Sequence, residues 1–146
     1  LKSATDDLVN MCLERVTPGK SPDLRDRTTV QAAIAKSKTL LASKRSQLHN
    51  SVAILWEESQ HKNTFTDEQL ADVWAASCEA VKEAKCMLSE IYAVAGTSSL
   101  YQKYKIERAH RDIHAISQHG IIQPHWMDQA GMAYVGIKPT GAMFRT

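Results

Sequence analysis

Two Glu-x-x-His pairs, Glu58–His61 and Glu107–His110, are the first residues in this chain whose types and spacing could do chemistry. On a helix, an acid and an imidazole at that spacing share a face, and two such pairs can cradle a di-iron or di-manganese centre inside a four-helix bundle. His110 and His114, at i, i+4, add a zinc-compatible spacing, but no HExxH glutamate accompanies them and no third ligand is evident. A different pattern runs through Glu107-Arg108-Ala109-His110-Arg111-Asp112. Here Glu107 with Arg111, and Arg108 with Asp112, are i, i+4 pairs of opposite sign, the first in the favourable order of acid before base. By themselves these are helix-surface ion pairs worth about 0.3–0.5 kcal/mol each.

Composition limits what such residues could serve. A chain of 146 residues fits one domain with a substantial core. Lys and Arg number 18 against 16 Asp and Glu, a net charge of +2 that is too weak and dispersed for a nucleic-acid footprint. The locally basic stretch from Tyr101 to Arg111 is interrupted by Glu107 and followed by Asp112, which reads as a solvated, salt-bridged helix start. No stretch is apolar over the ~18 residues a membrane span needs. Cys12, Cys78 and Cys86 are odd in number and have no CxxC spacing, which reads as reduced thiols in a cytoplasmic protein. The sequence opens at Leu1 with neither an initiator Met nor a leader-like segment, and is expected to be part of a longer protein.

Gly and Pro punctuate the chain into helices. A short helix with Leu8, Met11, Cys12 and Val16 on one face precedes the turn-rich Thr17-Pro18-Gly19-Lys20-Ser21-Pro22. From Thr28 to His61 there is neither Gly nor Pro, and Val30, Ala33, Ile34, Ser37, Leu41, Leu48, Val52 and Leu55 recur at helical spacing. Lys44 and Gln47 thin this face in the middle. After a break at His61–Phe65, Thr66-Asp67-Glu68-Gln69 forms a capping box. The helix it opens carries Leu70, Val73, Trp74, Ser77, Val81, Ala84, Leu88, Ile91 and Ala95, and ends at Gly96-Thr97-Ser98-Ser99. A last helical region starts near Ile106, breaks at Gly120 and Pro124, and resumes to about Tyr134. The expected architecture is all-α: an up-and-down four-helix bundle over residues 1–136, with an irregular tail over 137–146. Helices longer than so small a bundle requires imply a further surface buried against other domains or subunits.

This layout removes the di-metal reading. His61 ends the second helix and Glu107 opens the fourth, so the two pairs stand at opposite ends of the third, roughly 40 Å apart at about 1.5 Å per residue. They cannot share a metal, and no metal site is expected.

The run Glu107-Arg108-x-x-Arg111-Asp112 resembles the ERxxRD signature of the final helix in the acyl-CoA dehydrogenase superfamily. With Ala95-Gly96-Thr97-Ser98-Ser99-Leu100-Tyr101, His114-Ala115, Gln118-His119, Val30-Gln31 and Leu55-Trp56 at their offsets, the chain resembles the C-terminal domain of the flavin-dependent branch of two-component, reduced-flavin monooxygenases (hydroxylases). The resemblance covers nearly the whole chain. It departs from the dehydrogenases at one place: many carry a catalytic glutamate where Gly120 stands here, and no carboxylate lies between Asp112 and Asp128.

The resemblance implies an enzyme subunit with an N-terminal helical domain and a middle β domain outside this sequence, assembled as a homotetramer. It implies FMN or FAD, reduced by a flavin reductase and held between the β domain and this bundle, with no flavin expected on this chain alone and no activity from it alone. It assigns His119 as the catalytic candidate, because oxygen chemistry on a reduced flavin needs a positioned donor and exclusion of water, and imidazole can donate near neutral pH. It assigns Gly96, Thr97, Ser98, Ser99 and Gln118 to the cofactor, through close backbone approach at Gly96 and N–H and hydroxyl groups beyond it. The structural alternatives are a helix-ending turn at Gly96 and a satisfied histidine at 119. The functional alternatives are an acyl-CoA dehydrogenase domain with its base elsewhere, or a helical interaction domain with no catalytic part. Neither nucleic acid nor membrane is an expected partner.

Overall fold

The computed structural model describes residues 1–14, 23–62 and 64–144. The expected Thr17–Pro22 turn, and Val16 on the first helix face, lie outside the described residues. Among the described residues there is no strand, and five α-helices follow one another: α1 Lys2–Glu14, α2 Thr28–Ser59, α3 Asp67–Ala95, α4 Ile106–Ile116 and α5 His125–Tyr134. The break expected at Gly120 and Pro124 separates α4 from α5, with a 3₁₀ turn at Gly120–Ile122. No helix among the described residues is long and apolar enough to cross a membrane.

The start of α3 shows how local sequence sets an element. The Thr66 hydroxyl accepts from the Gln69 backbone N–H (3.2 Å), and the Gln69 side-chain carbonyl accepts from the Thr66 N–H (2.9 Å). Both bonds satisfy donors that a helix start leaves without intrahelical partners. Thr66→Ala is expected to cost about 1 kcal/mol, read as a lower urea midpoint at unchanged m value. An unchanged midpoint would remove the cap from the account.

The chain forms two compact units, and α2 and α3 each contribute residues to both. The first unit comprises residues 1–42 and 83–116. Its core joins Ala4, Leu8, Met11 and Cys12 of α1, Val30 and Ala33 of α2, Met87, Leu88, Ile91 and Ala95 of α3, and Tyr104 and Ile106 at the start of α4. Leu8, Met11, Cys12, Val30, Ala33, Leu88, Ile91 and Ala95 of the expected faces fall in this core, whereas Leu40 rather than the expected Leu41 packs against it. The Asp7 carboxylate accepts the Lys105 backbone N–H, tying α1 to the entrance of α4.

The second unit comprises residues 43–82 and 117–146. Leu70, Ala71 and Cys78 of α3 pack with Trp126, Ala130 and Ala133 of α5 and with Phe144 from the tail. Trp74 stacks on Trp126, with ring centres 5.5 Å apart and planes inclined by 25°. Along this part of α2 the expected face needs correction. Val52 is 48 % exposed, and it is Ser51, at 8 %, that is buried, its hydroxyl donating to the Gln47 and Leu48 carbonyls. The inward stripe therefore runs from Leu48 through Ser51 to Leu55, a hydroxyl replacing an apolar group because its hydrogen can be satisfied by the preceding turn.

Candidate functional site

The candidate residues divide between the two units: Gly96–Ser99 belong to the first, Gln118 and His119 to the second. The turn at Gly96 begins where α3 stops. Gly96 has φ +61°, a left-handed conformation costly for any residue with a Cβ, and a 3₁₀ turn continues through Leu100. The Ser99 hydroxyl donates to the Gly96 carbonyl at 2.7 Å and the Tyr101 N–H to the Ser98 carbonyl at 3.3 Å. Ser98 and Ser99 are buried, whereas Gly96 and Thr97 are exposed. Beyond its own local backbone and chain neighbours, no heavy atom lies within 4 Å of where a Cβ on Gly96 would sit, so the backbone there is open to close approach. The part of the turn that can meet a ligand directly is thus Gly96 and Thr97, while Ser99 uses its hydroxyl hydrogen to hold the turn closed.

His119 sits beyond the end of α4, as the N-cap of the 3₁₀ turn at Gly120–Ile122. Its ring nitrogen Nδ1 accepts the Ile121 N–H at 3.3 Å, and its carbonyl accepts from the Ile122 N–H at 2.8 Å and the Gln123 side-chain amide at 3.3 Å. A neutral imidazole whose Nδ1 accepts carries its hydrogen on Nε2. Both His119 and Gln118 are exposed. The satisfied-core alternative for this histidine is therefore not what the structure holds: one nitrogen is engaged by its own turn, and the ring is open to a partner.

On α4 both charge pairs form, Glu107 with Arg111 at 3.2 Å and Arg108 with Asp112 at 3.4 Å. All four side chains are well exposed, so the pairs support the helix modestly. His110 lies 4.7 Å from the Tyr92 ring and 4.7 Å from His114, with the Ser89 hydroxyl 3.3 Å from its Nε2. Desolvation, then the Lys85 charge and His110, disfavour the charged form of His114. Glu58 pairs instead with Lys62 at 2.8 Å. Among the described residues no three His, Cys, Asp or Glu side chains gather as a metal would require. All three thiols are free, and burial pushes those of Cys12 and Cys78 up.

Several residues that shape this region are not singled out by motif or spacing. Trp126 is 7 % exposed and its indole N–H donates to the Gly120 carbonyl at 2.8 Å. Gln129 accepts the backbone N–H groups of Thr140 and Gly141 at 2.7 and 2.8 Å, fastening the tail over α5. The one signal available was the apolar spacing of Trp126, Ala130 and Ala133 along α5, which marks a buried face but not its partners.

A family model described as "Acyl-CoA dehydrogenase, C-terminal domain" matches residues 2–124. Indole-3-acetate monooxygenase of Acinetobacter baumannii is 22% identical over 131 residues, covering 86% of this chain and 34% of that protein. The enzyme of the same name from Pseudomonas putida is 22% identical over 138 residues, covering 94% of this chain and 36% of that protein. The chain therefore spans about a third of the length of these relatives. Among solved structures, XiaF from Streptomyces sp., in complex with FADH2 and glycerol, superposes with a TM-score of 0.83 at 17% identity, over 96% of this chain and 36% of XiaF. That likeness fixes the fold.

Proposed function

The chain belongs to the acyl-CoA dehydrogenase C-terminal domain family, and from that premise we propose that it is the C-terminal helical part of a reduced-flavin-dependent monooxygenase. Two relatives named as monooxygenases and a structural neighbour in complex with FADH2 support this reading. The observation that carries it is His119, an exposed imidazole whose Nδ1 is occupied by the Ile121 N–H, leaving the Nε2–H as the outward donor. Gly120 adds to it, since it stands where many dehydrogenases of the superfamily place a carboxylate base.

In this reading a reduced flavin, FMN or FAD supplied by a reductase, brings the reducing equivalents for activating oxygen. The chain's own residues contribute donors and open backbone. The Nε2–H of His119 donates a hydrogen bond towards the reacting oxygen, and a neutral imidazole can hold or pass on a proton at that atom near pH 7. In the first unit the open backbone at Gly96 and Thr97 would be offered to a flavin's phosphate or ring, with Ser98 and Ser99 in the same turn; in the second, Gln118 would offer a side-chain amide next in sequence to the histidine. Domains outside this sequence would complete the flavin site and exclude water, so this chain alone binds flavin weakly. Val52 and Trp56, exposed at 48 and 66 % and one helical turn apart, give α2 an apolar strip suited to those domains or to the other subunits of a tetramer. The working compartment is the cytoplasm, where the free thiols stay reduced.

The test uses the complete enzyme. Offered reduced flavin and oxygen, it is expected to oxygenate an aromatic acceptor and to leave acyl-CoA thioesters untouched. Steady oxidation of a thioester by tightly bound flavin, with no oxygen transfer, would favour the dehydrogenase alternative and sink this one.

A further inference from the structure

The carbonyl of Gly120 and the N–H of Ile121 are two ends of one peptide unit. That unit is planar and trans, so its oxygen and hydrogen point in opposite directions and move together. The indole N–H of Trp126 donates to the oxygen at 2.8 Å, and the hydrogen is received by His119 Nδ1 at 3.3 Å. We propose that Trp126 is a positioning residue for His119, fixing the imidazole tautomer through this shared peptide so that Nε2 carries the hydrogen. The inference rests on the reading of His119 as the functional imidazole.

Two effects act in the same direction. Holding the oxygen fixes the plane, and so aims the N–H at the ring nitrogen. A donor on the carbonyl also polarises the amide and strengthens its N–H as a donor. Together they favour the form of His119 whose Nδ1 is free to accept.

Trp126 is itself held from several sides. Trp74 stacks on it, and the His125 ring centre lies 4.6 Å away. On a further side lies Gly141, where an added Cβ would come within 2.7 Å of the indole Cζ3. Gln129 keeps that glycine in place by accepting its N–H and that of Thr140. The tail thereby bears on the tautomer of a residue more than twenty positions upstream, through one indole and one peptide.

Nitrogen NMR of the imidazoles reads the tautomer directly in the 146-residue chain, at about pH 8 where an ordinary imidazole is neutral. The unaltered chain is expected to show His119 mainly as the Nε2–H form. Trp126→Phe keeps an aromatic ring but removes the donor. It should lower the ratio of Nε2–H to Nδ1–H forms at His119 roughly fivefold, the effect of one ordinary hydrogen bond, while His49 and His61 stay unchanged. Gly141→Ala keeps the indole donor and displaces the ring, and should move the ratio the same way. An unchanged ratio in either variant, with circular dichroism showing a folded chain, overturns the proposal, as does an Nδ1–H form in the unaltered chain. Should Trp126→Phe fail to fold, the through-hydrogen-bond coupling between Trp126 Nε1 and the Gly120 carbonyl carbon decides in the unaltered chain, its absence counting against the proposal. The readout needs no flavin, so a failed oxygenase test leaves it standing and is told apart from its own failure.

Discussion

Replacing His119 by alanine in the complete enzyme is expected to lower turnover to oxygenated product by on the order of 100-fold, as loss of one well-placed donor does elsewhere. Reduced flavin should still be oxidised, with hydrogen peroxide released in place of product. The reason lies in the geometry of one side chain. His119 is exposed, its Nδ1 is taken by Ile121, and only Nε2–H remains to donate outward. His119→Gln, which offers an amide hydrogen at comparable reach, should recover part of the coupling. Measuring peroxide and product together against flavin oxidised settles the matter, and an unaltered ratio in His119→Ala would count against the assignment.

Phe144→Ala is expected to destabilise the second unit by about 3–5 kcal/mol, the usual cost of emptying a large buried aromatic site. Phe144 is 1 % exposed and packs with Leu70, Ala71, Cys78, Trp126, Ala130 and Ala133. Urea unfolding followed by tryptophan fluorescence measures it, because Trp74 and Trp126 stand in the same cluster. A loss below about 1 kcal/mol, ordinary for a surface change, would mean the tail contributes little. The size of this effect bears on the proposed role of His119 as well. The tail that Phe144 anchors also brings Gly141 against Trp126, and Trp126 holds the peptide next to His119.

The local features were legible because their causes are local. Thr66 and Gln69 form the capping box, and Glu107 pairs with Arg111, since residues three or four apart on a helix meet whatever surrounds them. Gly96 ends α3 because only a residue without a Cβ enters the left-handed region cheaply. Val30, Ala33, Leu88 and Ile91 fall in the first core because a 3.6-residue period brings apolar groups to one face.

The tertiary structure decided what that period leaves open. The serines of the Gly96 turn could have pointed either way. Packing buried Ser98 and Ser99 and left Gly96 and Thr97 outside. Ser51, not Val52, turned inward on α2, because a hydroxyl satisfied by the preceding turn can occupy a core position. The tail reads as irregular because Pro139 and Gly141 disfavour regular helix, yet Phe144 fills a core with one wall in α5 and another more than sixty residues upstream in α3. Sequence by itself therefore determined the helices and those of their breaks that fall among the described residues, while the resemblance it carries singled out His119 as the candidate imidazole. Only the folded chain decided which nitrogen of that imidazole is free, because the answer depends on hydrogen bonds to a peptide and an indole whose directions no local periodicity encodes.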